Sequence, residues 1–159
     1  MADIAIIDYG MGNVHSVYKA FNKVINKDSK IKITRSLDDL LDCSHIVFPG
    51  QGAASECMRN ISKNLDIIEF KKIISQKPFL GICIGMQLMA KVSYERSKNE
   101  GLGFFDSEVK LIKKTSQSIK VPHMGWNDVY IERDRKNFFP SLNNNNFYFV
   151  HSYHMQCKN

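Results

Sequence analysis

Gly81-Ile82-Cys83-Ile84-Gly85 is the strongest indication of how this chain is built, and it lies between an apolar run, 78–80, and a helix-compatible run, 86–90. This order predicts a strand, a sharp turn and a helix, with a thiol at the turn. Glycines two positions before and after Cys83 let the backbone hold a nucleophile on a strained corner, as in the Gly-x-Ser-x-Gly elbow. A helix N-terminus beside the thiol favours the thiolate. The alternative is a buried cysteine in a strand-to-helix connection.

Length and composition predict a soluble globular protein. The chain has 159 residues, 43% hydrophobic and 24% charged, which fits one domain with a substantial core. No apolar run approaches the roughly 20 residues of a membrane helix, and the N-terminus lacks the features of a secretory signal. The net charge of +6 comes from scattered lysines. A basic face for a phosphorylated or acidic partner stays open, but we expect neither a nucleic-acid partner nor a membrane partner.

The cysteines predict a reducing, cytoplasmic location and no bound metal. Cys43, Cys57, Cys83 and Cys157 form no Cys-x-x-Cys pair and no Cys/His metal spacing. We interpret Cys43 and Cys57 as packing residues.

The first half of the chain alternates strands and helices. This alternation predicts a three-layer α/β fold with a mostly parallel or mixed sheet and helices on both faces. The predicted strands are 3–8, 31–34, 45–48 and 78–82, and the predicted helices begin near Val14, Ser36 and Leu65 and after Cys83.

Three glycine-rich loops each follow a predicted strand, at 9–13, 49–53 and 81–85. Sites in such folds gather at the carboxyl ends of strands, so we expect the three loops to meet at one edge. After about Lys91 the chain becomes β-rich: residues 93–101 are predicted to form a loop, and strands are predicted at 109–112, 126–132, 146–151 and 153–157. No linker marks a second domain.

A thiol nucleophile needs donors for an oxyanion and a base for its proton. The glycines flanking Gln51 allow a peptide flip that would turn a backbone amide of Gly50-Gln51-Gly52 toward a substrate carbonyl. Ile84, which follows the nucleophile, offers a second amide. The alternative for 49–53 is an ordinary strand-to-helix turn.

Spacing does not select a base among the histidines. His45 begins a predicted buried strand and is interpreted as structural, and His15 follows the first glycine loop and is interpreted as a helix cap. His123 and His151 could each approach the site. No His-x-Glu or His-x-Asp pair supplies both a base and its orienting carboxylate.

Five segments together resemble a known family. Residues 81–88 resemble the nucleophile segment of class I (triad) glutamine amidotransferases. Four further segments resemble the glutaminase subunits of imidazole glycerol phosphate synthase; they are Asp8-Tyr9-Gly10-Met11-Gly12-Asn13, Pro49-Gly50-Gln51-Gly52-Ala53, 122–127 and 147–153. The resemblance spans essentially the whole chain. It implies a class I glutamine amidotransferase-like, flavodoxin-like fold with a β-rich second half.

The resemblance also implies an activity. Cys83 would attack the glutamine side-chain amide and form a glutamyl thioester, Gln87 would help to hold glutamine, and the loop at 49–53 would supply the oxyanion amide. Ammonia would pass to a (β/α)8-barrel cyclase subunit in a heterodimer, which makes imidazole glycerol phosphate and aminoimidazole carboxamide ribotide for histidine and purine synthesis. No cofactor is implied.

The resemblance implies that one set of residues faces that partner or lines the junction with it. This set is Asn13, His123, Met124, Trp126, His151, Ser152 and Tyr153. His123 and His151 would then be junction residues rather than the base.

Two departures from the family pattern stand out. Gln51 stands where the family often has valine. Only the backbone amide would take part in the chemistry there, so this change of side chain is tolerable. The catalytic histidine and glutamate of the family lie in a Phe-His-Pro-Glu-like segment, and residues 1–159 contain none. We therefore expect a single glutamine amidotransferase type 1 domain over 1–159 that lacks its C-terminal segment, as in a fragment or a frameshifted copy.

Two alternatives to the histidine-pathway enzyme remain open at this stage. One is a paralogue that supplies ammonia for the amination of surface-polysaccharide sugars, and the other is a truncated, non-catalytic binding subunit. The absent His/Glu segment favours the second, whereas intact Cys83, Gln87 and 49–53 favour an enzyme.

Overall fold

The structure, a computed structural model, describes residues 2–116, 119–131 and 145–158. A parallel four-stranded sheet forms the first half, in the order β2-β1-β3-β4. Its strands are β1 (Ile4–Ile7), β2 (Ile31–Thr34), β3 (His45–Gly50) and β4 (Phe79–Cys83). The predicted α/β architecture and all four predicted strands are confirmed, with bounds that differ by at most two residues.

Helices cover both faces of this sheet, as predicted. Helix α1 (Val14–Val24) packs through Val14 and Phe21 on the face that carries Ile6 and Val47. On the opposite face lie α2 (Leu37–Asp42), α3 (Ala54–Asn64) and α4 (Ile67–Ile74), which pack against a cluster that includes Ala5, Ile7 and Phe48. Successive strand residues point to opposite faces, so the apolar run of β1 serves both layers.

The larger core cluster is organised around Phe48. Its ring centroid lies 5.2 Å from that of Tyr9 and 5.7 Å from those of Phe70 and Phe79. Such tilted and edge-on contacts suit the charge distribution of aromatic rings. Tyr9 and Phe48 stand at or near the ends of β1 and β3, so the core reaches directly beneath the loops that follow these strands.

Helix α3 was not predicted from the sequence. Its buried residues are Ala54, Cys57 and Ile61, a pattern with little apolar volume, and no side chain at Ala53 caps its N-terminus. The amide of Ala54 instead donates to the Glu95 carboxylate at 2.8 Å, 41 residues away in sequence. The usual local start signal of a helix is therefore missing.

The helix after Cys83 is shorter than predicted. Helix α5 begins directly after Cys83, as predicted, but covers only Ile84–Gln87, and Ala90 begins β5 (Ala90–Ser93), so the helix-compatible run 86–90 is helical only at 86–87. The carbonyls of Leu88 and Met89 accept hydrogen bonds from the Leu102 and Phe104 amides. This pairing with a distant segment ends the helix after one turn.

A second sheet has the order β10-β7-β5-β6 and confirms the β-rich second half. Its further strands are β6 (Asn99–Glu100), β7 (Phe105–Leu111) and β10 (Tyr153–Cys157). Strand β6 falls inside the stretch predicted to be a loop. An antiparallel pair forms a third sheet, from β8 (His123–Val129) and β9 (Asn145–His151). Residue 132, the end of one predicted strand, lies outside the described residues.

The chain divides into two compact units. One comprises Met1–Lys110 with Met155–Asn159, and the other comprises Leu111–His154. Among the described residues, no helix has both the length and the apolar character that a membrane crossing requires.

Candidate active site

The three glycine-rich loops of the first unit meet at one edge, as predicted. Strands β3 and β4 pair in parallel with Gly50 opposite Cys83, which places the 49–53 loop beside the thiol. A Cβ built on Gly12 would lie 3.3 Å from the Gly50 nitrogen, so the 9–13 loop touches the same point. The shared edge therefore joins one exposed cysteine to two glycine-rich loops.

Cys83 occupies a strained backbone conformation. Its φ of 56° and ψ of −119° lie in a region that side chains other than glycine rarely adopt. Such strain, of order 1–3 kcal/mol, persists only where the surrounding structure enforces it, and it is concentrated at functional sites. The thiol is exposed. The predicted elbow is thus present, and the reading of Cys83 as a buried packing residue is wrong.

Close backbone packing enforces this corner. A Cβ on Gly85 would lie 1.9 Å from the Phe48 carbonyl oxygen, and one on Gly50 would lie 2.4 Å from the Gly85 nitrogen. Neither distance can accommodate a side chain without backbone movement. The glycines therefore let the first turn of α5 sit directly against the end of β3, which brings the Ile84 amide and the 49–53 loop to the same place.

The 49–53 loop has one glycine whose conformation excludes other residues. Gly52 has a φ of +94°, so a side chain there would be strained. The Cys57 thiol donates to the Gln51 carbonyl at 3.4 Å, and the Glu95 carboxylate accepts from the Ala54 amide that follows the loop. The middle of the loop is therefore tied to α3, and the residue that follows the loop is tied to the segment after β5.

Gln87 and Ile84 lie within the turn that follows the nucleophile. Both side chains are buried. Gln87 is one of the few polar residues buried among the described residues, so an amide is held inside the elbow four positions after Cys83. Asn13 lies at the end of the first glycine loop, where its side chain caps α1 by accepting from the Ser16 amide at 3.1 Å.

The structure corrects the interpretation of one histidine. His15 is an exposed residue of α1, and Asn13 rather than His15 is the helix cap. His45 begins the buried strand β3, as predicted; its own side chain is exposed, and its Nδ1 lies 2.9 Å from the Ser44 hydroxyl. Within the described residues, no group of acidic, histidine and cysteine side chains could hold a metal ion.

The second unit carries the remaining predicted residues on its hairpin. Directly opposite residues of an antiparallel pair share a face. Met124 pairs with Val150 and Trp126 with Tyr148, and all four are exposed, Trp126 at 69%. One face of the β8–β9 pair is thus an exposed apolar surface, which we call the hairpin apolar face.

The two histidines occupy the opposite face of the same hairpin. His123 Nδ1 lies 3.0 Å from His151 Nε2, and the Phe149 ring stacks on His123 at 4.8 Å. His151 Nδ1 lies 2.8 Å from the Tyr153 carbonyl, which makes Nδ1 the donor there. Asn127 Nδ2 lies 2.7 Å from His123 Nε2. Ser152 lies between the strands β9 and β10, and its carbonyl accepts from the Ile112 amide.

Sequence reasoning missed three residues of the first site, namely Tyr9, Cys57 and Glu95. Burial raises the pKa of the Cys57 thiol, so the thiol stays protonated and donates to Gln51. Burial also raises the pKa of Tyr9 well above its usual value, and the neighbouring Cys57 and Cys83 thiols add to this. A local signal existed only for Tyr9, which opens a glycine loop directly after a strand.

Comparison with known proteins agrees with this geometry. The family model for glutamine amidotransferase class-I matches residues 5–158. The HisH subunit of imidazole glycerol phosphate synthase from Chromobacterium violaceum is 40% identical over 155 residues, which cover 95% of this chain and 73% of that protein. The subunit HisH 1 from Campylobacter jejuni is 41% identical over 160 residues, with 98% and 76% covered.

A solved structure supports the fold independently. The crystal structure of a glutamine amidotransferase superposes with a TM-score of 0.68 at 14% identity, and the match covers 94% of this chain and 71% of that one. At this identity the likeness concerns the fold alone. Together with the family model and the relatives, it leads to one conclusion: the chain belongs to the class I glutamine amidotransferases, an enzyme family, and within them to the family of HisH subunits of imidazole glycerol phosphate synthase.

Proposed function

We propose that the chain hydrolyses glutamine to glutamate and ammonia at Cys83. The observation that carries this proposal is the strained, exposed thiol beside a glycine-rich loop, at the edge where β3 and β4 end. A thiol in such a corner can be approached by a carbonyl carbon, and the nearby backbone amides can stabilise the negative charge that develops on its oxygen.

The reaction proceeds in two steps. The Cys83 thiolate adds to the side-chain amide carbon of glutamine, and the amide nitrogen gains the proton that the thiol gave up, so the carbon–nitrogen bond breaks and ammonia leaves. Water then adds to the thioester, the carbon–sulfur bond breaks, and glutamate and the thiol are released. Each step passes through a tetrahedral oxyanion, so the same backbone donors serve both.

The donors that we assign to the oxyanion are backbone amides of Gly50-Gln51-Gly52 and of Ile84. Support comes from the register that pairs Gly50 with Cys83 and from the position of Ile84 directly after the nucleophile. Gln87 is assigned to holding glutamine, because its amide lies in the turn that Cys83 opens. Gln51 contributes only its backbone to this site, and its side chain is exposed. We therefore expect the replacement of Gln51 by valine to preserve activity.

The ammonia is delivered to a partner, a (β/α)8-barrel cyclase subunit that makes imidazole glycerol phosphate and aminoimidazole carboxamide ribotide in histidine biosynthesis. Support comes from the relatives, which are subunits of imidazole glycerol phosphate synthase. The exposed hairpin apolar face also favours a protein partner, because contiguous exposed apolar surface on a monomer often marks an interaction site. We propose that this chain and the cyclase subunit form a cytoplasmic heterodimer, with the interface on the hairpin apolar face.

Asn13 and the segments around His123 and His151 are assigned to the junction with the partner. His123, His151, Ser152 and Tyr153 lie on or next to the face opposite Met124 and Trp126. Met124 and Trp126 would therefore contact the partner directly, while the histidine pair would line the ammonia passage with polar groups that are already hydrogen-bonded to one another.

Ammonia release from glutamine, measured with the cyclase partner present, tests the proposed activity. We expect Cys83→Ala to abolish release, and Cys43→Ala to serve as the control because its thiol is buried away from the elbow. Release that persists in Cys83→Ala would contradict the nucleophile assignment.

A further inference from the structure

The Tyr9 hydroxyl is an unexplained polar group beneath the active-site loop. Its residue is fully buried, and it has no hydrogen-bond partner among the described residues. A buried hydroxyl without a partner costs about 1–3 kcal/mol, so native proteins rarely retain one without a use. Phenylalanine would fill the same space in the Phe48 cluster without this cost.

Cys57 is a titratable neighbour of this hydroxyl. The two side chains share one core cluster, and each perturbs the ionisation of the other. Cys57 in turn donates its thiol proton to the Gln51 carbonyl, in the middle of the 49–53 loop. Tyr9, Cys57 and Gln51 therefore form a short line from the core to the loop.

Tyr9 and Cys57 act on the peptide unit between Gln51 and Gly52, which must be held in one orientation for the proposed chemistry. A peptide unit is planar, so holding the Gln51 carbonyl also fixes the direction of the Gly52 N–H on the other side of the same unit. Gly52 has a positive φ and no side chain, so side-chain packing of its own cannot hold this unit. Oxyanion donors are effective only when they are held in place before the reaction.

We propose that Tyr9 and Cys57 are positioning residues for the 49–53 loop. Cys57 holds the Gln51 carbonyl, and donation from the Tyr9 hydroxyl to the Cys57 sulfur in the glutamine-bound site strengthens the bond to Gln51. Neither side chain contacts substrate. The inference rests on the proposed glutaminase function, because it assigns a task to the loop of that site.

Alkylation of Cys83 by 6-diazo-5-oxo-norleucine tests this role without requiring turnover. This diazoketone analogue of glutamine gains a proton at its diazo carbon, the thiolate attacks that carbon, and dinitrogen leaves as the carbon–sulfur bond forms. Its ketone oxygen occupies the place of the glutamine amide oxygen, so the rate reports on the loop. Iodoacetamide, which alkylates thiols without using a glutamine pocket, gives the reference rate for Cys83 in each variant.

The structure offers a matched control. Cys43 is also buried and also donates to a backbone carbonyl, that of Leu40 at 3.2 Å, but it lies far from the loop in the α2 connection. We expect Cys57→Ala to lower the maximal alkylation rate by about three- to tenfold, the effect of one weak hydrogen bond, at an unchanged half-saturating concentration. Cys57→Ser should retain most of the rate, because a hydroxyl can still donate, and Cys43→Ala should match the wild type.

Tyr9→Phe separates positioning from packing. We expect it to melt at the same temperature as the wild type or higher, because it removes an unpartnered hydroxyl, and yet to alkylate more slowly. Iodoacetamide rates should be equal in all variants. The inference is overturned if Cys57→Ala behaves like Cys43→Ala, or if Tyr9→Phe alkylates at the wild-type rate. An unlabelled wild-type Cys83 would instead defeat the proposed function itself.

Discussion

The elbow of the first unit and the hairpin of the second present their chemistry in different ways. At the elbow, backbone geometry makes the site: glycines admit close contact between α5 and β3, and Cys83 is forced to a positive φ. On the hairpin, the backbone forms ordinary antiparallel pairs, and the chemistry is set by the side chains on its two faces. Substitutions should therefore damage folding at the elbow but binding at the hairpin.

The strongest test of this contrast is Gly85→Ala. Its Cβ would fall 1.9 Å from the Phe48 carbonyl oxygen, so either α5 or β3 must move. We expect a loss of roughly 4 kcal/mol in the free energy of unfolding, or failure to fold, as for severe overpacking and backbone strain. Gly103→Ala is the control, because it has a positive φ but nothing within 4 Å, and it should cost about 1 kcal/mol. Equal losses in urea unfolding would show that close packing does not set the elbow.

The matching test on the hairpin is Trp126→Ala. Trp126 is exposed and pairs with Tyr148, so its removal should leave stability within about 0.5 kcal/mol. Affinity for the cyclase partner, measured by titration calorimetry, should fall at least about tenfold, because exposed aromatic residues are frequent binding hot spots. Ile68→Ala is the control, since Ile68 is an equally exposed apolar residue on α4. Unchanged affinity in Trp126→Ala would move the interface away from the hairpin apolar face.

A smaller effect concerns the first glycine loop. Partial burial works to raise the pKa of Asp8, but the Arg35 guanidinium and the Gly10 amide hold that pKa below its usual value. The carboxylate is thus favoured in the folded state, so its stabilisation is present above about pH 4 and is lost as the pH falls through the folded-state pKa.

The pH dependence of unfolding measures this effect. The free energy of unfolding should fall between pH 6 and pH 3. Because the Asp8–Arg35 pair is partly exposed, we expect this fall to be smaller in Asp8→Asn than in the wild type by at most about 1 kcal/mol. Arg35→Gln should also reduce this pH dependence, because it removes the positive charge that pairs with the Asp8 carboxylate. An identical pH dependence in the wild type and Asp8→Asn would contradict the assignment.

The sequence predicted what depends on local patterns and missed what depends on distant contacts. Strands β1 to β4 and the meeting of three loops followed from apolar runs and glycines. Helix α3 was missed because its N-terminal amide is satisfied by Glu95, and α5 was predicted too long because Leu102 and Phe104 end it. At the site, Cys83 could be predicted from its flanking glycines, whereas Cys57 could not, because its bond to Gln51 exists only once α3 has formed.

The assignment of Cys83 as the nucleophile of a glutaminase can be tested by acid-quenched mass spectrometry of the chain incubated with glutamine. A glutamyl thioester adds one glutamyl group to the protein, and acid slows its hydrolysis. We expect this adduct on the peptide that contains Cys83, and none in Cys83→Ala. A glutamyl adduct on another cysteine, or ammonia release that does not depend on Cys83, would contradict it.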